Sequence, residues 1–177
     1  MIITISGTPG SGKSTVAKSI AKKLKLKHYS TGDYYREMAE KRGLSVLALA
    51  KLAEKDRSID KELDEWQAQL GKKEDNFIID ARLGFHFIPH SIKIYLDADE
   101  AVRAKRIFND KVRKEKNITL DETLKNMRMR EKSEKQRYID YYKINPSDKK
   151  HYDLVLDTTK LTKPEVMDKI IAFLKKR

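Results

Sequence analysis

A glycine-rich run near the N-terminus has the composition and spacing of a phosphate-binding loop. Residues 7–14 read Gly-Thr-Pro-Gly-Ser-Gly-Lys-Ser and fit the pattern G-x-x-x-x-G-K-[ST]. Glycines there let successive backbone N–H groups point at phosphate oxygens, and the following helix contributes its positive N-terminal end. Lys13 would reach the β- and γ-phosphates, and Ser14 would reach Mg²⁺. The run predicts an ATP-type site formed by Gly7, Thr8, Pro9, Gly10, Ser11, Gly12, Lys13, Ser14 and Thr15. The alternative is a turn that binds nothing, and the pattern leaves the phosphoryl acceptor open.

Two segments further along the chain could hold a second anion. Ser30-Thr31-Gly32-Asp33 opens a helix and Arg36 follows by one turn, although an ordinary helix cap with an Asp–Arg pair would look the same. Asp80-Ala81-Arg82 ends an apolar strand, and a carboxylate at that edge of a parallel sheet faces the ligand crevice. Asp80 would hold Mg²⁺ through water, and Arg82 would bind a second phosphate. The alternative is that Asp80 caps the following turn.

A charged run, residues 130–138, reads R-E-K-S-E-K-Q-R-Y. Arg130 and Arg137 are seven positions apart and share one helix face, and the spacing allows Glu134 between them to pair with either one. A solvated charged helix is the alternative. Phosphoryl transfer needs several positive groups around the transferring phosphate, so after a phosphate-binding loop we interpret both arginines as part of the site.

Short apolar strands alternate with helices along the chain, which predicts a parallel sheet covered on both faces. The expected fold is a three-layer α/β/α P-loop NTPase with a five-stranded parallel sheet. The predicted strands are 2–6, 28–30, 77–80, 92–96 and 154–157. The predicted helices are 13–24, 33–42, one after Ser45, one after Ser58, 99–108, 119–142 and one opening at Thr162. Capping-box spacing at Thr119–Glu122 and at Thr162–Glu165 marks the last two helix starts.

The composition excludes several classes of protein. The chain has 177 residues, 39 Lys and Arg against 27 Asp and Glu, and no Cys. It therefore has no disulfide framework, thiolate zinc site or cysteine nucleophile. Its apolar runs are too short to span a membrane, and its N-terminus does not read as a signal peptide. We expect one domain spanning residues 1–177, cytoplasmic and monomeric.

The net charge of +12 invites a nucleic-acid interpretation, because Lys and Arg neutralise phosphates in such complexes. Residues 101–137 carry 13 basic residues but a single aromatic one, Phe108. Nucleic-acid surfaces interleave aromatic and basic side chains. A nucleic-acid partner is therefore not expected.

With these motifs in hand, the sequence resembles the nucleoside monophosphate kinases, and most closely the archaeal-type cytidylate kinases, over nearly its whole length. The residues that carry the resemblance are 7–14, 30–33 with Arg36, 79–83, 130–138 and 152–158. The run 130–138 is the most discriminating of these, since adenylate kinases place a different lid there.

The resemblance implies phosphorylation of CMP, or dCMP, by ATP with Mg²⁺. It implies an NMP-binding segment around 33–75 and a short lid around 109–118. Lys13, Asp80, Arg130 and Arg137 would be catalytic, Ser14 and Asp80 would hold the metal, and Arg106 would lie over the adenine of ATP. Arg36 and Arg82 would bind the α-phosphate of the acceptor beside Thr31, Gly32 and Asp33.

Some positions depart from the family pattern or remain unassigned. Asp110 stands where the family often has an Arg, for which Lys111 and Arg113 are the candidate replacements, and Ala81 stands where many relatives have Gly. The candidates for reading the base are Arg82, Asp64, Gln67 and Thr31, and the four His residues are expected to be surface or packing residues. The alternatives are a kinase with another acceptor (AMP, UMP or shikimate), an RNA- or ribosome-associated P-loop NTPase, or an inactive homologue.

Overall fold

A computed structural model describes residues 1–110 and 119–177 and shows a five-stranded sheet. Its strand order is β2-β3-β1-β4-β5, and all four strand pairs are parallel. The strands are β1 (Ile2–Gly7), β2 (Lys27–Ser30), β3 (Phe77–Asp80), β4 (Ile92–Asp97) and β5 (Leu154–Asp157). The helices are α1 (Lys13–Leu24), α2 (Thr31–Lys41), α3 (Val46–Ala53), α4 (Arg57–Lys73), α5 (Gly84–Phe87), α6 (Glu100–Phe108), α7 (Leu120–Tyr142) and α8 (Lys163–Leu174). The predicted α/β fold is confirmed.

Both faces of the sheet are covered, which makes three layers. Ile78 of β3 lies in a core with residues of α1 and α8, such as Ile20 and Ile170. Phe77 and Ile79 point to the opposite face, where they pack with Leu70 of α4 and Ile88 after α5. Alternate residues of one strand thus reach opposite layers, as the two-residue period of a strand requires.

The helices between β2 and β3 have a separate small core. Met38 and Ala39 of α2, Leu49 and Ala53 of α3 and Ile59 of α4 pack together, apart from the cluster under β1. We call residues 33–75 the acceptor segment, after the role expected from the sequence.

Most predicted helix ends are correct within two residues, and both capping boxes are confirmed. Helix α2 begins at Thr31 because the side chain of Ser30 accepts a hydrogen bond from the backbone N–H of Asp33. Helix α4 begins at Arg57, capped by Asp56, rather than after Ser58. The four-residue helix α5 and a 3₁₀ turn at Lys149–His151 were not predicted, since both are too short to show a periodic pattern. Among the described residues, none of the helices has the length and apolar character needed to cross a membrane.

Candidate active site

The glycine-rich loop lies between β1 and α1, at the carboxyl edge of the central strand. Gly10 and Gly12 have φ angles of 78° and 94°, a region that residues with a Cβ rarely adopt. A Cβ on Gly10 would also lie 2.6 Å from the carbonyl oxygen of Arg103. These two glycines therefore allow the loop to curl above the start of the helix.

The reactive side chains of the loop already have protein partners. The ammonium group of Lys13 donates to the carbonyl oxygen of Thr8 at 2.7 Å. The hydroxyl of Thr8 donates to Asp97 at 3.0 Å, and that of Ser14 donates to Asp80 at 2.9 Å. Lys13 is thus folded back over the loop.

Asp80 is the centre of a buried hydrogen-bond network at the end of β3. Its Oδ1 accepts from the hydroxyls of Ser14 and Ser30, and its Oδ2 lies 3.0 Å from Nε2 of His28. Burial alone would raise the pKa of Asp80, but the contacts with His28, Ser14 and Lys13 outweigh it and lower that pKa. The carboxylate is therefore charged at neutral pH. The expectation that every His is a surface or packing residue is wrong for His28, whose ring reaches Asp80 across the pairing of β2 with β3.

The arginines predicted around the phosphates are held by carboxylates. Glu134 of α7 accepts from Nε of Arg82 at 2.6 Å through one oxygen and from Nε of Arg130 at 2.8 Å through the other. Arg82 also donates from Nη1 to the carbonyl oxygen of Gly7. Burial would raise the pKa of Glu134, but the two guanidinium groups outweigh it and keep that pKa well below its usual range.

Arg137 pairs with Asp60 and not with Glu134, although the helix spacing allowed the pair with Glu134. Its Nε donates to Oδ2 of Asp60 in α4 at 2.9 Å, and its Nη1 donates to the hydroxyl of Ser133 at 2.9 Å. Burial would lower the pKa of Arg137, but Asp60 outweighs it and raises that pKa, so the guanidinium stays charged. The physical reason for the difference is that Arg82, arriving from β3, occupies the free oxygen of Glu134.

The other residues predicted to bind nucleotide lie around the networks of Asp80 and Glu134. Arg36 is 59% exposed and pairs with Asp33 on its own helix. Thr31 donates its hydroxyl to the carbonyl oxygen of Asp80 at 3.2 Å. Arg106 donates to the carbonyl oxygen and the hydroxyl of Thr158, beyond β5. A cavity of about 370 Å³ lies between the loop and α7, lined among others by Thr8, Pro9, Arg82, Glu134 and Tyr138.

With this geometry established, comparison with known proteins identifies the family. Residues 2–160 match the model of the cytidylate kinase-like family. The chain belongs to this family. A cytidylate kinase of Sulfurisphaera tokodaii is 42% identical over 176 residues, covering 98% of this chain and 95% of that protein. A cytidylate kinase of Methanocaldococcus jannaschii is 41% identical over 165 residues, covering 90% and 89%. The predicted family and enzyme class, a kinase, are confirmed.

Solved structures support the same fold at lower identity. An uncharacterised protein of Eubacterium ventriosum superposes with a TM-score of 0.75 and 22% identity, covering 100% of this chain and 99% of that one. A shikimate kinase of Bacteroides thetaiotaomicron gives a TM-score of 0.70 at 14% identity, covering 99% and 98%. These likenesses show the architecture alone.

The sequence patterns did not single out Arg103, a residue of α6 whose side chain contacts both the glycine-rich loop and α7. Only 7% of Arg103 is exposed; its Nη1 donates to Glu131 of α7 at 2.6 Å and to the carbonyl oxygen of Pro9 at 3.3 Å. The available signal was its place on the apolar face of α6 beside Ala104 and Ile107, where an arginine needs a buried partner.

The two lid residues proposed to replace the missing arginine, Lys111 and Arg113, lie outside the described residues.

Proposed function

We propose that the protein transfers the γ-phosphoryl group of ATP to CMP, and also to dCMP, by direct in-line displacement. Membership of the cytidylate kinase-like family supports the reaction class, and the curated relatives are named cytidylate kinases. The observation that carries the proposal is the convergence of the glycine loop, Asp80 and three arginines at one edge of the sheet. Neither another acceptor nor an RNA-associated NTPase is favoured by these relatives.

The donor would occupy the loop between β1 and α1. Backbone N–H groups of residues 7–15, except Pro9, which has no N–H, and the ammonium of Lys13 would hold the phosphates, with the N-terminal end of α1 adding its positive charge. Arg106, beside the end of β5, would lie over the adenine. Phosphate oxygens would then replace the carbonyl of Thr8 as partner of Lys13.

The oxygens of Ser14 and Asp80 fit a magnesium ion. Mg²⁺ prefers hard oxygen ligands and is usually held by one or two protein groups together with waters and substrate phosphates. The Ser14 hydroxyl lies 2.9 Å from Asp80, and the lowered pKa of Asp80 keeps the carboxylate charged. Among the described residues there is no cluster of three or more His, Cys, Asp or Glu side chains for a metal, which this mode of binding does not need. When bound, the ion would neutralise charge on the phosphates.

The arginines would act on the acceptor and on the transferring group. Arg82, with Arg36 and the turn formed by Thr31, Gly32 and Asp33, would bind the acceptor's α-phosphate. Arg130 and Arg137 would stabilise the charge that spreads over the transferring phosphoryl oxygens. No covalent enzyme intermediate is required, so the side chains contribute position and charge. The segment 33–75 would carry the acceptor, and the lid would span 109–118, mostly outside the described residues.

Base recognition would involve the stripe of polar residues on α4. Asp64 accepts a hydrogen bond from the hydroxyl of Tyr142. Gln67 is 2% exposed, and its Oε1 has no hydrogen-bond partner among the described residues. A carboxylate and an amide oxygen are acceptors suited to the exocyclic amine of cytosine, which uracil lacks. Cytoplasmic location and a monomeric state stay predictions.

The test is the rate of ADP release with CMP, dCMP, UMP, AMP and GMP as acceptors. We expect CMP and dCMP to give the highest kcat/KM and the K13M variant to lose nearly all turnover. K18M, the same substitution at an exposed position of α1, is the matched control and should retain it. A preference for AMP or UMP would overturn the assigned acceptor, and no turnover with any nucleotide would overturn the kinase itself.

A further inference from the structure

The carboxylate that pairs with Arg137 belongs to the acceptor segment and not to helix α7. The pair between Arg137 of α7 and Asp60 of α4 joins residues 77 positions apart, with a distance of 2.9 Å from Nε to Oδ2. The two side chains are 11% and 8% exposed, so water screens their attraction little. Ion pairs of this kind fix a geometry that a solvent-exposed pair does not.

The contact uses only part of the guanidinium group. Asp60 accepts a hydrogen bond from Nε of Arg137, and Ser133 accepts one from Nη1. The third nitrogen, Nη2, makes no hydrogen bond to any residue that the structure describes. Glu134 likewise takes Nε of Arg82 and Nε of Arg130. Because a guanidinium is rigid and planar, a carboxylate on its Nε edge sets the direction of the terminal nitrogens.

Two further contacts join the acceptor segment to helix α7. Glu54, which ends α3, accepts from the hydroxyl of Ser133 at 2.7 Å. Asp64, one turn beyond Asp60 in α4, accepts from Tyr142 near the end of α7. Carboxylates of the acceptor segment thus meet α7 at three successive places, with Arg137 at the middle one.

From this arrangement we propose that Asp60 is a positioning residue that aims Arg137 at the transferring phosphoryl group. The inference rests on the proposed kinase function. It also links binding of the acceptor to the placement of Arg137, because Asp60 meets Arg137 only when the acceptor segment lies against α7. An acceptor that holds the segment in place would then complete the arginine site, by which we mean Arg82, Arg130 and Arg137.

The experiment is a double-mutant cycle with a matched control. The variants are D60A, D60N, R137A and the double variant D60A with R137A, each measured for kcat, for KM of ATP and CMP, and for Tm. The control is E100A, which removes another ion pair of α7, that between Glu100 and Arg128 at 2.6 Å, away from the arginine site. D60N guards against a variant that fails to fold, because its amide oxygen still accepts from Nε.

We expect D60A to lower kcat by about 10- to 100-fold, the size of effect that a misplaced catalytic group produces. KM for ATP should change little, and D60N should recover part of the rate. In the R137A background, D60A should cause no further loss of kcat, because its target is gone. E100A should keep the kcat of the wild type.

Two results would overturn the proposal: unchanged kcat in D60A, or an equal loss of kcat from D60A with and without Arg137. A loss of Tm alone would mark the pair as structural. Failure of the function itself is distinguishable, because it would appear as absent CMP turnover in the wild type. If another acceptor is used, the same cycle is run with that acceptor.

Discussion

Nε of Arg82, just after β3, donates to Oε2 of Glu134 in the middle of α7 at 2.6 Å, although 52 residues separate them. The other oxygen of Glu134 holds Arg130. One carboxylate therefore keeps two like charges side by side at the edge of the phosphate loop. Without it, their repulsion and their side-chain freedom would spread them apart.

Replacing Glu134 with Gln should disperse these arginines. The amide offers a single acceptor oxygen and no charge, so one guanidinium loses its partner. We expect kcat to fall by about 100-fold, with KM for CMP raised because Arg82 would bind the acceptor's phosphate. Steady-state kinetics of E134Q measures both. D121N, an exposed acid-to-amide change in the first turn of α7, should behave as the wild type; wild-type kinetics in E134Q would contradict the role.

His28 should matter through Asp80. Its Nε2 lies 3.0 Å from Oδ2, and without it the carboxylate loses one of three side chains that fix its orientation. We expect H28L to raise the Mg²⁺ concentration needed for half-maximal turnover and to lower kcat by about 10-fold. H28Q, whose amide nitrogen can take the position of Nε2, should recover most of the rate.

The control for His28 is H90L, which changes an exposed histidine outside the network. Thermal shift on adding Mg²⁺ with ATP gives a second readout that does not depend on turnover. Identical Mg²⁺ dependence in H28L and H90L would refute the role.

Asp64 should make stability depend on pH. Burial raises its pKa from 3.8 to about 7, although the hydrogen bond from Tyr142 opposes this. The folded state therefore binds a proton that the unfolded chain has already lost between about pH 4 and pH 7. Stability must fall as pH rises through this range, by at most about 1.4 kcal/mol per pH unit for one group.

The D64N variant removes this titration. The free energy of unfolding, measured by urea denaturation at pH 5 and at pH 8, should decrease less with pH in D64N than in the wild type. D148N, which changes an aspartate that caps the 3₁₀ turn, is the control and should keep the wild-type slope. Parallel pH curves for D64N and the wild type would show that Asp64 titrates normally.

Two alanine substitutions in the loop should differ in severity. Gly10 and Gly12 both have positive φ, so alanine at either costs about 1–2 kcal/mol of backbone strain. At Gly10 the new methyl group would also meet the backbone of Arg103 at 2.6 Å, whereas at Gly12 nothing lies within 4 Å. We expect G10A to raise KM for ATP and to lower Tm clearly more than G12A. Equal effects would mean that the contact with Arg103 is relaxed by the loop.

The sheet and the glycine-rich loop at its carboxyl edge could be predicted because the sequence patterns that indicate them are local. Strand, glycine turn and helix follow one another in sequence, and parallel pairing then fixes the rest. Ile5 of β1 pairs with Asp80 of β3, so the carboxylate must lie beside the loop that β1 enters. Once β1 and β3 are recognised as neighbouring strands, the position of Asp80 relative to the loop follows.

The partners of the arginines could not be predicted from spacing. Glu134 lies three residues from Arg137 and four from Arg130, so helix geometry allows both pairs. The choice is made by Arg82 and Asp60, which arrive from β3 and α4. Such partners depend on how helices lie against one another, which one sequence does not reveal.

The separate core of Met38, Ala39, Leu49, Ala53 and Ile59 has a consequence for how acceptor choice can change. Its members lie on α2, α3 and α4, and none of them belongs to the cluster beneath β1, so a change of side-chain volume here meets those three helices first. Under the proposed function, substitutions inside this cluster would change the surroundings of the acceptor and leave the core beneath the phosphate loop in place, provided that Asp60 keeps its contact with Arg137. This makes the helices between β2 and β3 the natural place to engineer a kinase for a different nucleotide.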